Sequence, residues 1–127
     1  MTIKELSQLK SLNKEIALEK MKLNSLNSKN DHIGVVGIGS LKKSEYQNEI
    51  NELRAKIEAH LSQCFILYNK INDFINSIDD SNIRLIISLR FVNGLSWQQV
   101  AMHIGGGNTA DGVRKACERY IKNLYLQ

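Results

Sequence analysis

The 127-residue sequence contains no proline, only two cysteines, and aromatic residues at 6%. Without proline, nothing obliges a helix to kink through a missing backbone N–H. Two cysteines cannot supply the several bridges that staple small secreted folds. Cys64 and Cys117 fall at apolar helical positions and read as small buried hydrophobes. No run approaches the roughly 18 apolar residues of a membrane span. Met1-Thr2-Ile3-Lys4-Glu5 lacks the basic-then-apolar layout of a signal peptide. The expectation is a reduced, cytoplasmic setting with no membrane partner. Histidines 32, 60 and 103 show no metal-ligand spacing with each other or with the cysteines. No nucleophile, base and orienting group shows itself, so no enzyme activity, metal or cofactor is expected.

What is present is a 43% hydrophobic chain biased to Leu, Ile, Lys, Asn and Glu, which predicts an all-α protein. From Ile3 to Leu26, the residues Leu9, Leu12, Ile16, Leu23 and Leu26 recur in steps of three and four, with Glu19 the polar exception, and form one helical stripe. Asn27 to Ser40 breaks that stripe with Ser28-Lys29-Asn30-Asp31 and with Gly34, Gly37 and Gly39, and reads as a connector. No P-loop lysine follows these glycines at the required spacing.

A longer helix is predicted from about Ser44, its cap, to Ile78. Ile50, Ile57, Cys64, Ile71 and Ile78 occupy heptad position a, and Tyr46, Leu53, Leu67 and Phe74 position d. His60 is the one polar residue in that seam, where a polar group can fix register. Glu52 and Lys56 are spaced for an i,i+4 pair. The stripe widens after Leu61 through Phe65, Tyr68 and Ile75. Residues 1–78 therefore read as a helical hairpin or coiled coil that oligomerises, with a homodimer through residues 3–78 the expected form.

Residues 79–127 read as a second domain of three short helices. Ile83 to Val92 is the first, and Asn93-Gly94 the turn that follows. Ser96 caps the second, Trp97 to Ile104, with Gln99 completing a capping box. Gly105 is expected in the left-handed conformation that closes it. Asn108 is expected to cap the third, with Asp111 three residues on and Val113, Cys117, Tyr120 and Leu124 on its buried side. Charge is segregated to match. From Ile83 onward, Arg84, Arg90, Arg114, Lys115, Arg119 and Lys122 face only Asp111 and Glu118, whereas the rest of the chain is balanced. That is the footprint of a nucleic-acid-binding unit.

A positioning helix, a glycine turn and a basic helix form a helix-turn-helix. The last helix, at about 109–122, begins with Asn108, Thr109, Ala110, Asp111 and Gly112, slender enough for its end to enter a major groove. Arg114 and Lys115 follow one turn on, where Arg114 can pair with guanine or grip a phosphate. Arg119 and Lys122 extend the basic face, and Ser96 and Gln98 are placed to hold a backbone phosphate.

The run Ile83-Arg84-Leu85-Ile86-Ile87-Ser88-Leu89-Arg90-Phe91, then Leu95-Ser96-Trp97-Gln98-Gln99-Val100-Ala101 and Val113-Arg114, resembles the promoter-reading C-terminal domain of bacterial sigma factors. The likeness covers about residues 79–122. The stretch between Gly105 and Val113 is about two residues longer than the sigma pattern. The chain as a whole looks like small phage and prophage proteins that join a helical region to such a module, some of which regulate late transcription. This resemblance implies duplex DNA as ligand, RNA polymerase as a candidate partner and a bacterial host cell as setting. Two further classes fit the same organisation. A small terminase subunit for phage DNA packaging would form a ring, and a structural coiled-coil adaptor would have no DNA affinity.

Overall fold

The computed structural model describes residues 1–36 and 40–126. Among them the chain is all-α, with no strand. Its elements are α1 (Ile3–Val36), α2 (Ser40–Asn76), α3 (Ser81–Ile87), continued by a π-helical segment Ser88–Val92, then α4 (Trp97–Ile104) and α5 (Ala110–Leu124). None of the described helices is long and apolar enough to cross a membrane.

The two long helices differ from their expected bounds. α1 does not stop near Leu26 but runs through the polar stretch Ser28–Asp31 and Gly34 to Val36. Ser28, Lys29 and Asp31 are exposed, where polar side chains cost a helix only a fraction of a kcal/mol each (about 0.7 or less). With no proline present, nothing there removes a backbone bond. α2 begins at Ser40 rather than near Ser44, and residues 37–39 of the expected connector lie outside the described residues. Thr2 starts α1, its Oγ1 accepting the Glu5 N–H at 3.1 Å.

The chain divides into two compact units, residues 12–65 and residues 1–11 with 66–127. In the first, Ile16, Ile50 and Ile57 are the buried residues among those described, with Leu12, Leu23, Leu26, Leu53 and Cys64 half-buried. Cys64 donates to Asn13 Oδ1 at 3.4 Å, and His60 meets Glu19 at 2.8 Å. The pairings therefore run in opposite chain directions along α1 and α2 within this unit. Lys56 does not bond Glu52 as expected but lies 4.0 Å from Glu19, because it lies one turn from His60 and shares that carboxylate.

The other unit holds most of the core. Leu6 and Leu9 from α1, Ile71 and Ile75 from α2, and Ile78 just beyond it are buried, as are Ile83, Ile86 and Ile87 of α3. Leu89, Phe91, Val100, Ala101, Val113, Cys117 and Ile121 complete it. Asp80 caps α3 by accepting the N–H groups of Asn82 and Ile83 at 2.9 and 3.3 Å. The helix expected to run regularly from Ile83 to Val92 instead widens at Ser88, where the Asn93 N–H reaches back to the Ser88 carbonyl at 3.0 Å. The wider turn buries both Leu89 and Phe91 while leaving Arg90 between them half-exposed.

Candidate nucleic-acid interface

The α4–turn–α5 segment is set by its ends. Ser96 accepts the Gln99 N–H at 3.2 Å and the Gln99 side chain accepts the Ser96 N–H at 2.9 Å, the reciprocal capping box expected for α4. Val100 and Ala101 form its buried face, with Leu95, Trp97 and Ile104 half-buried beside them. Phe91 packs edge-on against Trp97 at 6.2 Å, and Arg90 lies 4.7 Å from the same ring. Arg90 also donates to the Leu95 carbonyl at 2.9 Å, which ties the turn before α4 to the helix preceding it.

Gly105 closes α4 with φ 71 and ψ −158. Its φ is positive as expected, but ψ takes it out of the left-handed helical region into one that is essentially glycine-only. Gly106 and Gly107 follow with φ 64 and 78, so three successive residues need freedom from a Cβ. This route changes the cap of α5. Asn108 does not cap it; its side-chain amide donates to the Gly105 carbonyl at 2.7 Å and braces the turn. Thr109 is the cap, accepting the Gly112 N–H at 3.0 Å. Asp111 therefore falls at the second helical position, not the third, and is free of any capping duty.

α5 buries Val113, Cys117 and Ile121 in steps of four; Tyr120 is half-buried and Leu124 is exposed, contrary to the expected buried side. The buried face keeps its expected phase at Val113 and Cys117, and Ile121, four residues on from Cys117, takes the place expected of Tyr120 and Leu124. Burial raises the Cys117 thiol to about 11, reinforced by Glu118 and opposed by Arg90. On the far side of α5, Asp111, Gly112, Lys115, Arg119 and Lys122 are all exposed, with no large apolar side chain among them.

The charged groups of this face are not independent. Asp111 pairs with Arg114, and with Lys115 at 2.9 Å; Arg114 also reaches Glu118 at 3.2 Å. The Lys115 and then the Arg114 hydrogen bond hold the Asp111 carboxyl below its ordinary range, and Asp111 raises Arg114 in turn. Arg114, expected to pair with guanine or grip a phosphate, thus lies half-exposed at the margin of the face with its guanidinium tied along the helix. Among the described residues, Arg119 and Lys122 make no ion pair. Glu118 was not counted in the site; its i,i+4 spacing from Arg114 was the available signal.

Gln98 lines an open groove together with Ala101, Met102, Gly105, Asn108 and Ala110, which brings the start of α4 beside the start of α5. Ser96 is exposed at the head of α4, but its own N–H is already taken by Gln99, leaving its hydroxyl to offer. Ser96, Gln98, Asn108, Thr109, Ala110, Asp111, Arg114, Lys115, Arg119 and Lys122 all belong to the same compact unit. No group of three or more potential metal ligands is found among the described residues. Comparison with family models, with curated proteins and with solved structures finds no match to this chain.

Proposed function

We propose that this protein is a DNA-binding transcriptional regulator of phage or prophage type, with α4 positioning α5 in the major groove of a duplex. The observation that carries the reading is the two-sidedness of α5. One side is buried through Val113, Cys117 and Ile121, and the other presents Lys115, Arg119 and Lys122 around the slender Gly112. The capped α4, the glycine turn and the cap at Thr109 supply the local geometry of a helix-turn-helix. Arg119 and Lys122 grip phosphates, and the start of α5 meets base edges.

Dimerisation belongs to the same proposal, with an altered surface. The a-position residues Ile50 and Ile57 are already 1% and 6% exposed within one chain, as is Ile16 at 5%. A second copy therefore docks on what remains uncovered: Leu18 and Met21 of α1 at 66% and 67%, and Leu61 and Phe65 of α2 at 44% and 68%. Two linked binding units raise effective concentration on one duplex.

The test is a titration of the full chain on duplex DNA across a salt series, with mass measured by light scattering. Arg119 and Lys122, the cations of α5 without an ion pair among the described residues, give a log–log salt slope of about −2 per chain. Salt-insensitive or absent binding rejects the reading and leaves the adaptor. A ring of many subunits favours DNA packaging instead.

A further inference from the structure

Resting on that reading, we propose that Asp111 is a specificity-determining residue: it holds Arg114 and Lys115 in ion pairs on α5, so that these two cations engage a duplex only where base contacts offset the loss of those pairs. Three observations converge. Asp111 is released from capping because Thr109, not Asn108, starts the helix. Its two carboxylate oxygens are divided, Oδ1 to Arg114 and Oδ2 to Lys115. Glu118 then takes the other terminal nitrogen of Arg114 from the opposite direction along the helix at 3.2 Å. The guanidinium is thereby stretched along the helix surface rather than projected from it.

The electrostatic consequence differs between partners. On a random duplex, a phosphate must compete with a carboxylate that is covalently fixed one turn away, so Arg114 and Lys115 add little to affinity. Arg119 and Lys122, without such partners, carry the sequence-independent attraction. At a cognate site, a guanine edge offers Arg114 two acceptors, and a cytosine amino group offers Asp111 a donor. The paired acceptors of the base edge then outweigh the exposed ion pairs, which are individually weak, where a single phosphate only matches them. Discrimination arises from a charge that is withheld rather than from one that is added.

The experiment compares the full chain with Asp111→Asn and, separately, Glu118→Gln on a random-sequence duplex across a salt series, with circular dichroism as a check on helix content. Asp111→Asn keeps the size and polarity of the side chain while removing its charge. The expected result is roughly three- to tenfold tighter binding to random duplex and a salt slope steeper by about 1 to 2 per chain, as two cations become available. Glu118→Gln, which frees only one side of Arg114, shifts both in the same direction but less. Unchanged affinity and slope in both variants, with the parent still binding DNA, overturn this inference alone. Weaker binding by a folded Asp111→Asn also overturns it, since Asp111 is then an attractive contact only. If neither parent nor variant binds, the DNA-binding reading falls as well.

Discussion

Glu19 and His60, the polar exceptions in two otherwise apolar helical stripes, meet each other: His60 Nδ1 lies 2.8 Å from a Glu19 carboxylate oxygen. Both side chains are largely covered, at 12% and 19% exposure. Each exception taken alone weakens its stripe, but together they favour the register in which they meet within this unit.

Removing one member of this pair is expected to cost more than removing both. Glu19→Leu or His60→Leu alone should destabilise the chain by about 1–3 kcal/mol, the penalty for a covered polar group left unsatisfied. The double Leu variant should recover most of that loss, or exceed the parent, because apolar replacement of both partners is well tolerated. Denaturant unfolding of the four proteins decides it; additive single losses would show that the pair carries no coupling.

Gly105→Ala should destabilise the chain by about 1–3 kcal/mol, from backbone strain alone. A Cβ there meets nothing within 4 Å, so no steric term enters. A melting temperature equal to the parent's would mean that the turn adopts another route.

The fold class, the capping box on α4 and the seam were legible because each rests on short-range patterns: Ser96 and Gln99 are three residues apart, and Ile50, Ile57, Cys64 and Ile71 of α2 recur every seven. The course of residues 105–109 was not legible. Asn108 and Thr109 are both good caps, and the choice depends on three consecutive glycines whose φ no side chain dictates. That ambiguity moved the cap of α5 by one residue and freed Asp111, whereas the burial of Ile121 in place of Leu124 is a choice between neighbouring apolar positions that the short-range pattern left open. The outer charge pattern was legible as composition only. Counting six cations against two acids missed that both acids, Asp111 and Glu118, are paired with cations on the same helix.

Arg119→Ala and Lys122→Ala should each weaken DNA binding about equally on all sequences and make the salt slope shallower by about 0.9 per chain. Arg114→Ala should instead act selectively, lowering discrimination at one base pair while leaving random-duplex affinity nearly unchanged. Equal losses on cognate and random duplex for Arg114→Ala would place it among the phosphate contacts.

Phe65→Asp with Leu61→Asp should convert an oligomer to monomer without loss of helix content, since both side chains are exposed. Ile57→Asp, at 6% exposure, should unfold residues 12–65 instead. Sedimentation together with circular dichroism separates these outcomes. A parent that is monomeric at tens of micromolar removes the dimer.

Cys117 should resist thiol reagents near neutral pH until the chain unfolds, whereas half-buried Cys64 reacts first. The folded Cys117 thiol is raised from 9.0 to about 11, so the unfolded chain loses its proton earlier. Stability contributed by the neutral thiol is complete below pH 9 and declines between 9 and 11. Cys117→Ala should flatten that alkaline decline in a pH series of melting temperatures.

Arg84 donates to the carbonyls of Ile78 and Asp79, the residues just past the end of α2, while itself belonging to α3. A bend braced in this way behaves as a bracket and not as a swivel: its angle cannot open without stretching a charged hydrogen bond. Torque applied to the last turn of α2 is handed directly to α3, whose Ile83, Ile86 and Ile87 are embedded in the core shared with α5. Arg84, the buried Ile78 and the Asp80 cap together make the passage from α2 to α3 a fixed joint, so α3 and the core it shares with α5 keep their bearing on the end of α2.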